Sequence, residues 1–457
     1  MKKTKIVATI GPACTGTQKL KQMVKAGMSA ARINTAHGNL SEYDCIVENI
    51  RKVADIPIMF DIKGPEMRIQ SPDDDTVKKG DVFTVGFGKQ EGRYFNRDFY
   101  EEVQVGDTVY LSDGMIKTEV VEKVDHKIKL KVHIGGFLRK NKGVNIPGRH
   151  IDFGLFTPWD KEVIAYAKEK DADFIALSFT RTESDVEGLR KKLKATEIGI
   201  ISKIESRESL DHLPEIIAAS DGIMVARGDL GVEVPSEKLP VIQKQLIWDC
   251  NEAGKPVIVA TEMLKSMIKE ARPPRAETSD VANAILDGAD AIMLSDETAI
   301  GAYPIEAVNV MNRIANELEP YVHSRIQFSE SASVDDSIAD AVHKICEKFQ
   351  VSKVVTLSQY GYAAQRISRY RLKEDIIAIL ESPTAKRKLE LTYGVTPIAY
   401  KPTHVEQIPH AAKHLVKIGL LKPHDLVLFT GRMYSKKRHI TNVLHMHKVE
   451  ELLEYAQ

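Results

Sequence analysis

Cysteine is scarce in this chain, and its placement argues against the structures that cysteines usually build. The 457 residues include four cysteines. They are Cys14, Cys45, Cys250 and Cys346, and no two of them form a Cys-x-x-Cys pair. A disulfide framework needs many cysteines in a short secreted chain, and a zinc ribbon needs closely spaced pairs. The sequence therefore indicates neither, and we expect a cytoplasmic location.

Net charge and long apolar runs are also lacking. The 64 Lys and Arg residues balance the 64 Asp and Glu residues, so the formal net charge is zero. The chain as a whole would not attract a polyanion, and we expect no nucleic-acid and no membrane partner. No segment approaches the roughly 18 consecutive apolar residues of a membrane-spanning helix, and the first residues contain no secretory core. Any anion must be bound by a local cluster of cations.

Two nucleotide-binding signatures are missing too. No segment matches the pattern G-x-x-x-x-G-K-[ST], and GFGKQE at residues 86–91 lacks the third glycine of the dinucleotide fingerprint. The sequence therefore disfavours a P-loop NTPase and a Rossmann dehydrogenase. A nucleotide would have to be held by separate cations, for which Arg32, Arg68 and Lys142 are candidates.

The sequence does contain eight short strand-like segments of α/β type. Each is apolar and ends on a polar residue, and helix-periodic stretches lie between most of them. They are KIVATIG (5–11), ARINTAH (31–37), PIMFDIKG (57–64), FIALSF (174–179), IGIISKIES (198–206), GIMVARGD (222–229), PVIVATEM (256–263) and AIMLSDET (291–298). Such alternation predicts parallel βα units. Polar residues at the strand ends favour a closed (β/α)₈ TIM barrel over an open doubly wound sheet.

Two further regions differ from the barrel pattern. After the third strand, alternating apolar and polar residues broken by Gly and Asp predict a small inserted antiparallel β domain. Towards the C-terminus, four apolar runs alternate with helical stretches and predict a smaller α/β domain with an open sheet. His445 and His447 fit a surface strand there better than a site. The predicted domains are residues 1–65 with 148–325 (barrel), 66–147 (β-barrel lid) and 326–457 (C-terminal domain).

The polar residues that follow the barrel strands suggest the chemistry. They include Arg32, Asn34, Asp61, Glu66, Lys203, Glu205, Gly228, Asp229, Thr261, Ser295 and Glu297. Glu205 and Asp229 end neighbouring strands, so their carboxylates are expected to meet at the barrel mouth. Two carboxylates completed by water and substrate oxygens suit Mg²⁺ or Mn²⁺. A plain ion pair between Glu205 and Lys203 is the alternative explanation.

Longer motifs resemble one family, the pyruvate kinases. The motifs are KIVATIGPAC, DIKGPEMR, KGVNIPG, ISKIES, GIMVARGDLGVEVP, PVIVATEML and PRAETSDVANAILDGADAIMLSDETAIGAYP. The resemblance covers the barrel and the edges of the insert, whereas the C-terminal third is similar in architecture more than in motif. It implies transfer of a phosphoryl group from phosphoenolpyruvate to ADP, giving pyruvate and ATP in glycolysis. That reaction depends on positioning and on charge neutralisation.

The resemblance also implies roles at the reacting phosphoryl group. Glu205 and Asp229 would bind the divalent metal. Lys203 would stabilise the phosphoryl group in flight, and Arg32 would contact it from the other side.

The rest of the substrate pair would be held by other residues. The backbone of Gly228 and Asp229 would bind the substrate carboxylate together with Thr261. Thr261, or water ordered by it and by Ser295–Glu297, would lie on the route of the proton to the enolate, although the resemblance assigns no proton donor. Arg68, Lys142 and Arg32 would hold the ADP phosphates beneath the closing lid.

Some positions depart from the family pattern. The family's K⁺ site uses an Arg-x-Asn-x-Ser segment and the Asp-Thr of DTKGPE. Asn34 and Asp61 are retained here, but Ala36 replaces the serine, and Ile62 replaces the threonine whose backbone carbonyl is a ligand. Binding of K⁺ by Asn34, Asp61 and Ile62 is therefore left open. Asp296 stands where the family has glycine.

The C-terminal domain departs as well. Its segment TLSQYGYAAQR (356–366) has tyrosines where the family's effector loop is rich in Ser, Thr and Gly, so activation by fructose bisphosphate is not implied. The basic stretch RMYSKKRH (432–439) would suit another phosphorylated effector, or is a solvated loop. The family is mostly tetrameric, and we expect a homotetramer.

The sequence leaves two alternatives to a pyruvate kinase open. One is another Mg²⁺-dependent (β/α)₈ enzyme that acts on pyruvate or an enolate, such as an aldolase or a phosphoenolpyruvate mutase. Such enzymes lack the inserted lid and the cations at positions 68 and 142. The other is a silent, regulatory relative, which would be expected to lose Lys203, Glu205 or Asp229, and all three are present.

Overall fold

The first three barrel strands form where the sequence predicts them. The computed structural model describes residues 2–112, 114–149, 151–324, 326, 333–401, 407–431 and 441–455. Its first elements are β1 (Lys5–Thr9), α1 (Thr17–Ala26), β2 (Ala30–Asn34), α2 (Leu40–Val53) and β3 (Ile58–Ile62). All residues of β1 and β3 are buried, as expected for strands covered on both faces. Helix α1 ends at Gly27, whose φ of +118° suits glycine.

The insert after β3 is a small barrel of its own. Its strands are β4 (Arg68–Gln70), β5 (Asp75–Val77), β6 (Val82–Phe87), β7 (Tyr94–Phe95), β8 (Thr108–Leu111), β9 (Ile116–Val124), β10 (Lys127–Ile134), β11 (Gly136–Leu138) and β12 (Lys142–Asn145). Seven of them close in the order β10-β6-β7-β4-β12-β8-β9, and β5 pairs with β11. Every pairing is antiparallel except that of β6 with β7. Phe87, Phe95 and Phe99 pack together in its core.

The chain then returns to complete the main barrel. The strands are β13 (Phe174–Leu177), β14 (Gly199–Ile204), β15 (Gly222–Ala226), β16 (Val257–Ala260) and β17 (Ala291–Leu294). The helices are α3 (Pro158–Glu169), α4 (Glu183–Lys192), α5 (Arg207–Asp211), α6 (Leu213–Ala219), α7 (Arg227–Glu233), α8 (Leu239–Ala253), α9 (Arg275–Leu286), α10 (Asp296–Ala299) and α11 (Pro304–Leu318), with 3₁₀ turns at Lys265–Ile268 and Glu319–Tyr321. Strand β17 pairs in parallel with β1 and closes the ring of eight. The predicted (β/α)₈ barrel is thus confirmed, and the open doubly wound sheet is excluded.

The C-terminal region is an open α/β sheet, as predicted. It contains α12 (Val334–Lys348), β18 (Lys353–Leu357), α13 (Tyr362–Ser368), β19 (Asp375–Leu380), α14 (Pro383–Leu389), β20 (Val395–Ala399), α15 (Gln407–Lys417), β21 (Leu426–Gly431), β22 (Val443–Lys448) and α16 (Val449–Tyr455). The strand order is β20-β19-β18-β21-β22, and only β22 runs antiparallel. His445 and His447 lie on this edge strand. The exact domain limits given above stay a prediction.

No helix in the described ranges is both long enough and apolar enough to cross a bilayer.

Two arginines of the C-terminal region are buried against the barrel face opposite the strand C-termini. Arg371 pairs with Asp290 at 2.9 Å, and Arg387 pairs with Asp173 at 2.6 Å. Both aspartates also accept backbone N–H groups of neighbouring barrel strands, Asp290 from Val257 and Asp173 from the first residue of β3. Each carboxylate therefore holds two barrel strands and one residue of the C-terminal region. In barrels of this class, this face serves stability rather than catalysis.

We predict that Arg371→Met destabilises the protein strongly. Removing the guanidinium leaves Asp290 buried without its ion-pair partner, which costs about 3–5 kcal/mol in comparable cases. Arg313→Met is the matched control, because Arg313 and Glu306 form an exposed pair, worth about 0–1 kcal/mol. Denaturant unfolding measures both. Equal unfolding midpoints for the two variants would contradict the role given to Arg371.

Candidate active site

A cavity of about 200 Å³ opens where the barrel strands end. Seven of the eleven residues assigned above to the binding of substrate, nucleotide or metal ions line it: Arg32, Asn34, Asp61, Lys203, Glu205, Asp229 and Thr261. The other four, Ile62, Arg68, Lys142 and Gly228, are described but lie outside the lining. The carboxyl ends of parallel strands meet at one rim, and this brings together residues that are distant in sequence.

Four charged side chains form a continuous chain along this cavity. Arg32 Nε donates to Asp61 Oδ2 at 2.7 Å. Lys203 Nζ donates to Asp61 Oδ1 at 3.2 Å and forms an ion pair with Glu205 Oε1 at 2.7 Å. Arg32, Asp61 and Glu205 are 8%, 2% and 2% exposed. Buried charges of this kind are tolerated only when opposite charges lie beside them.

The pKa shifts follow from this pairing. Burial alone would lower the pKa of Lys203, but the carboxylates of Asp61 and Glu205 outweigh burial and raise it above its ordinary value. Burial alone would raise the pKa of Asp61, but the cations of Arg32 and Lys203 outweigh burial and lower it. Lys203 is therefore a fixed positive charge at neutral pH, which suits charge neutralisation rather than proton transfer.

Two hydroxyl groups in the cluster escaped the sequence analysis. Ser178 Oγ accepts a hydrogen bond from Lys203 Nζ at 2.7 Å and lies 3.3 Å from Asp61 Oδ1. Thr9 Oγ1 accepts from Arg32 Nη1 at 2.9 Å. Thr9 ends a barrel strand and Ser178 directly follows one. Their positions at strand ends were the only feature of the sequence that pointed to a role in the site. A single small hydroxyl residue at that position is too common to be singled out.

Of the four carboxylates that line this cavity, Asp61 and Glu66 are each paired with an arginine, and Glu205 and Asp229 are the candidates to hold a metal. Both line it, and Glu205 Oε2 accepts the backbone N–H of Phe179 at 2.7 Å. No cluster of three or more His, Cys, Asp or Glu side chains suited to a metal occurs among the described residues. Two carboxylates leave most coordination positions to water and substrate, which fits Mg²⁺ or Mn²⁺ rather than zinc. The ion pair between Glu205 and Lys203, the alternative considered above, is present at the same time.

Thr261 lines the cavity in an unusual backbone conformation. Its φ is +67°, a rare value for a β-branched residue. Arg227 stabilises it, since Nη2 of Arg227 donates to the Thr261 carbonyl at 2.7 Å while Asp280 holds the same guanidinium at 2.7 Å. The Thr261 hydroxyl accepts the backbone N–H of Gly228 at 2.9 Å. Thr261 and the first turn of α7 are therefore fixed relative to one another.

The inserted β domain stands beside the cavity and carries two candidate cations. Arg68 lies on β4 and donates to Glu66 Oε2 at 2.7 Å, and Glu66 itself lines the cavity. Lys142 lies on the adjacent strand β12, whose register sets Gly143 opposite Arg68. A wider cleft of about 520 Å³ separates the insert from the barrel rim and shares Glu66, Glu205 and Asp229 with the cavity.

Comparison with known proteins decides the family. A family model described as the pyruvate kinase barrel domain matches residues 1–308, and one described as the pyruvate kinase alpha/beta domain matches residues 336–447. The chain belongs to the pyruvate kinase family. The resemblance noted in the sequence is thereby confirmed, and so is the prediction of a pyruvate kinase, a phosphotransferase.

Individual pyruvate kinases are similar over the full length of the chain. Those of Bacillus licheniformis and Geobacillus stearothermophilus are each 39% identical to it, over alignments of 481 and 482 positions with gaps included. That of Staphylococcus aureus (strain USA300) is 37% identical over an alignment of 482 positions. Each alignment covers all of this chain and 82% of the relative. Enzymes of this family use phosphoenolpyruvate and ADP and depend on a divalent metal.

The residues expected at a K⁺ site of the pyruvate kinase family have other partners here. Asn34 Oδ1 accepts the backbone N–H of Ala36 at 3.2 Å. Asp61 is shared by Arg32 and Lys203, and Ile62 is fully buried at the end of β3. Ala36 lines the cavity without a hydroxyl oxygen.

The side chain of Glu297, which was suggested for the proton route, is hydrogen-bonded to the backbone. Its carboxylate accepts the backbone N–H groups of Ser295 at 2.7 Å and of Leu264 at 3.1 Å. Burial raises the pKa of Glu297. Of the residues suggested on that route, Thr261 lines the cavity, whereas Glu297 connects two loops behind it. Asp296 is exposed at the start of α10.

We predict that Glu205→Gln weakens binding of Mn²⁺ by about tenfold or more, because it removes one of two carboxylate ligands. Electron paramagnetic resonance of free Mn²⁺ measures the dissociation constant without turnover. Glu233→Gln is the matched control, since Glu233 lines the neighbouring cleft and pairs with Asn145 at 3.4 Å. A Glu205→Gln variant that binds Mn²⁺ as tightly as the control would refute the metal assignment.

Proposed function

We propose that the cavity carries out the pyruvate kinase reaction with Lys203 and Arg32 as the cations that stabilise the phosphoryl group. The single observation that supports this best is the buried chain of Arg32, Asp61, Lys203 and Glu205 beside Asp229. The bond between phosphorus and the enol oxygen of phosphoenolpyruvate breaks, and a terminal oxygen of ADP forms the new bond to phosphorus. Negative charge develops on the phosphoryl oxygens and on the enolate, and preorganised cations stabilise it.

The metal in this proposal is Mg²⁺ or Mn²⁺, held by Glu205 and Asp229. When bound, it would supply further positive charge, beside Lys203 and Arg32, for the phosphoryl and enolate oxygens. The donor set supports it, because two carboxylates face one cavity and hard oxygen ligands are what these ions prefer.

The substrate carboxylate and the proton route are assigned to Thr261 and the first turn of α7. The backbone of Gly228 and Asp229 and the Thr261 hydroxyl would bind the carboxylate. In the present structure, the Gly228 N–H is directed at the Thr261 hydroxyl, so a carboxylate would replace that hydrogen bond. Thr261 would also order the water that relays a proton to the enolate.

The nucleotide would be bound between the barrel and the insert. Arg68 and Lys142 occupy neighbouring strands of the insert, and Arg32 lies in the cavity, so the three would contact the ADP phosphates from two sides. Closing of the insert over the cleft would exclude water, which otherwise competes with ADP as phosphoryl acceptor.

A K⁺ ion at Asn34, Asp61 and the Ile62 carbonyl is a separate part of the proposal. The first two side chains line the cavity, whereas Ala36 provides no hydroxyl ligand. Whether the chain needs K⁺ is decided by the assay below.

We also propose a phosphorylated effector at the C-terminal domain. Thr356 on β18 and Thr430 on β21 are register partners, and their buried hydroxyls have no hydrogen-bond partner among the described residues. They lie where the strand order reverses, at which sheets of this type bind ligands. The basic stretch at 432–439 lies outside the described residues.

Assembly and location complete the proposal. A homotetramer is supported by exposed apolar side chains, such as Val241 and Trp248 on α8 and Met446 on β22. A cytoplasmic location is supported by the four cysteines, which are unpaired.

A coupled assay of pyruvate release tests the proposal. The chain is mixed with phosphoenolpyruvate, ADP and Mg²⁺, with and without K⁺. We expect pyruvate to form only when ADP is present. Lys203→Met should abolish the reaction, because it removes the charge and nearly keeps the size of the side chain. Asp61 still pairs with Arg32 and Glu205 still accepts the Phe179 N–H, so circular dichroism should show a folded but less stable variant.

The controls separate this proposal from its alternatives. Pyruvate formation without ADP would mean that water accepts the phosphoryl group, and no pyruvate from a folded, Mn²⁺-binding chain would favour a regulatory relative or a lyase. Wild-type turnover by Lys203→Met would overturn the role of that residue. Activity without K⁺ would show that Ala36 marks a K⁺-independent enzyme.

A further inference from the structure

Three oxygen atoms surround the Lys203 ammonium. Nζ donates hydrogen bonds to Asp61 Oδ1 at 3.2 Å and to Ser178 Oγ at 2.7 Å, and it forms an ion pair with Glu205 Oε1 at 2.7 Å. A phosphoryl oxygen that approaches this ammonium therefore competes with these three oxygens. Which contact is given up decides where the ammonium points during the reaction.

The two carboxylates are charged and bind other cations or backbone groups, whereas Ser178 is uncharged. Asp61 also binds Arg32, and Glu205 also accepts the Phe179 N–H and is the proposed metal ligand. The Ser178 hydroxyl can direct its own hydrogen to Asp61, 3.3 Å away, which leaves a lone pair of Oγ for Lys203. Because it is uncharged, it holds the ammonium without neutralising it.

Ser178 is held rigidly enough to orient a neighbour. It is 4% exposed and directly follows β13. The Thr180 hydroxyl donates to the Leu177 carbonyl at 2.9 Å, and the Phe179 N–H is bound by Glu205. The turn that carries Ser178 is thus fixed on both sides of the residue.

We propose that Ser178 is a positioning residue that holds the Lys203 ammonium while Glu205 binds the metal and the phosphoryl group takes the vacated contact. The proposal rests on the proposed function of this cavity and adds a residue to it. Ser178 acts through Lys203 and is not itself required to touch the substrate. Losing its hydroxyl should affect the transition state, where the position of the charge matters most, more than substrate or metal binding.

The test is a comparison of Ser178→Ala with Ser220→Ala in the full chain. Ser220 is also buried, and its hydroxyl forms a hydrogen bond with the Ser202 hydroxyl at 2.6 Å. It precedes β15 and therefore lies at the other end of the barrel. We expect kcat of Ser178→Ala to fall by about tenfold to a hundredfold, as for a hydrogen bond to a charged group. KM for phosphoenolpyruvate and the Mn²⁺ dissociation constant of the substrate-free protein should change less than about threefold, since these report ground-state binding. Ser220→Ala should keep wild-type kcat.

A second variant guards against an effect of side-chain shape. Ser178→Cys keeps nearly the same shape with a weaker acceptor, so its kcat should also fall. Wild-type kcat in either Ser178 variant overturns the proposal, and so does a fall in kcat that is matched by equal losses of Mn²⁺ binding. An inactive wild-type chain would instead refute the function on which the proposal rests, whereas an active wild type with an unaffected Ser178→Ala refutes the positioning role alone.

Discussion

The ion pairing of Arg32, Asp61, Lys203 and Glu205 is the constraint on which the rest of the site depends. Two cations and two carboxylates occupy a space with little access to water, where buried charges are tolerated only beside opposite charges. The barrel supplies these residues from β2, β3 and β14 and from the residue after β14. The cluster is therefore ready to receive anionic substrates before they arrive, which is what electrostatic preorganisation requires.

The opposite face of the barrel uses buried charge for a different purpose. Arg371 and Arg387 reach from the C-terminal region to Asp290 and Asp173, which also bind backbone groups of the barrel. In both pairs the arginine donates hydrogen bonds to the aspartate, and neither pair lines the active-site cavity. Charge therefore serves catalysis at the mouth of the barrel and domain attachment at its base.

The sequence predicted the architecture well because the signals are local. Continuous apolar strands and helix periodicity identified all eight barrel strands, and period-two alternation identified the insert. The parallel pair β6 and β7 was not predictable, since β7 has two residues and its neighbour is set by tertiary packing.

The site was predicted less completely than the fold. Polar and charged residues at strand ends pointed to the seven assigned residues that line the cavity, because the barrel geometry brings strand ends together. Ser178 and Thr9 were not singled out, since their role depends on side-chain contacts that span 25 and 23 residues of sequence. The position of Glu297 outside the cavity lining was likewise hidden, because one of its two backbone partners, Leu264, comes from a neighbouring loop.

The most direct test of the account is a ³¹P nuclear magnetic resonance time course of the wild-type chain with phosphoenolpyruvate, ADP and Mg²⁺. The account predicts that the phosphoenolpyruvate signal disappears while the γ-phosphate signal of ATP grows by the same amount. A growing signal of inorganic phosphate without ATP would show that water is the acceptor. It would contradict the claim that this cavity and its lid transfer the phosphoryl group to ADP.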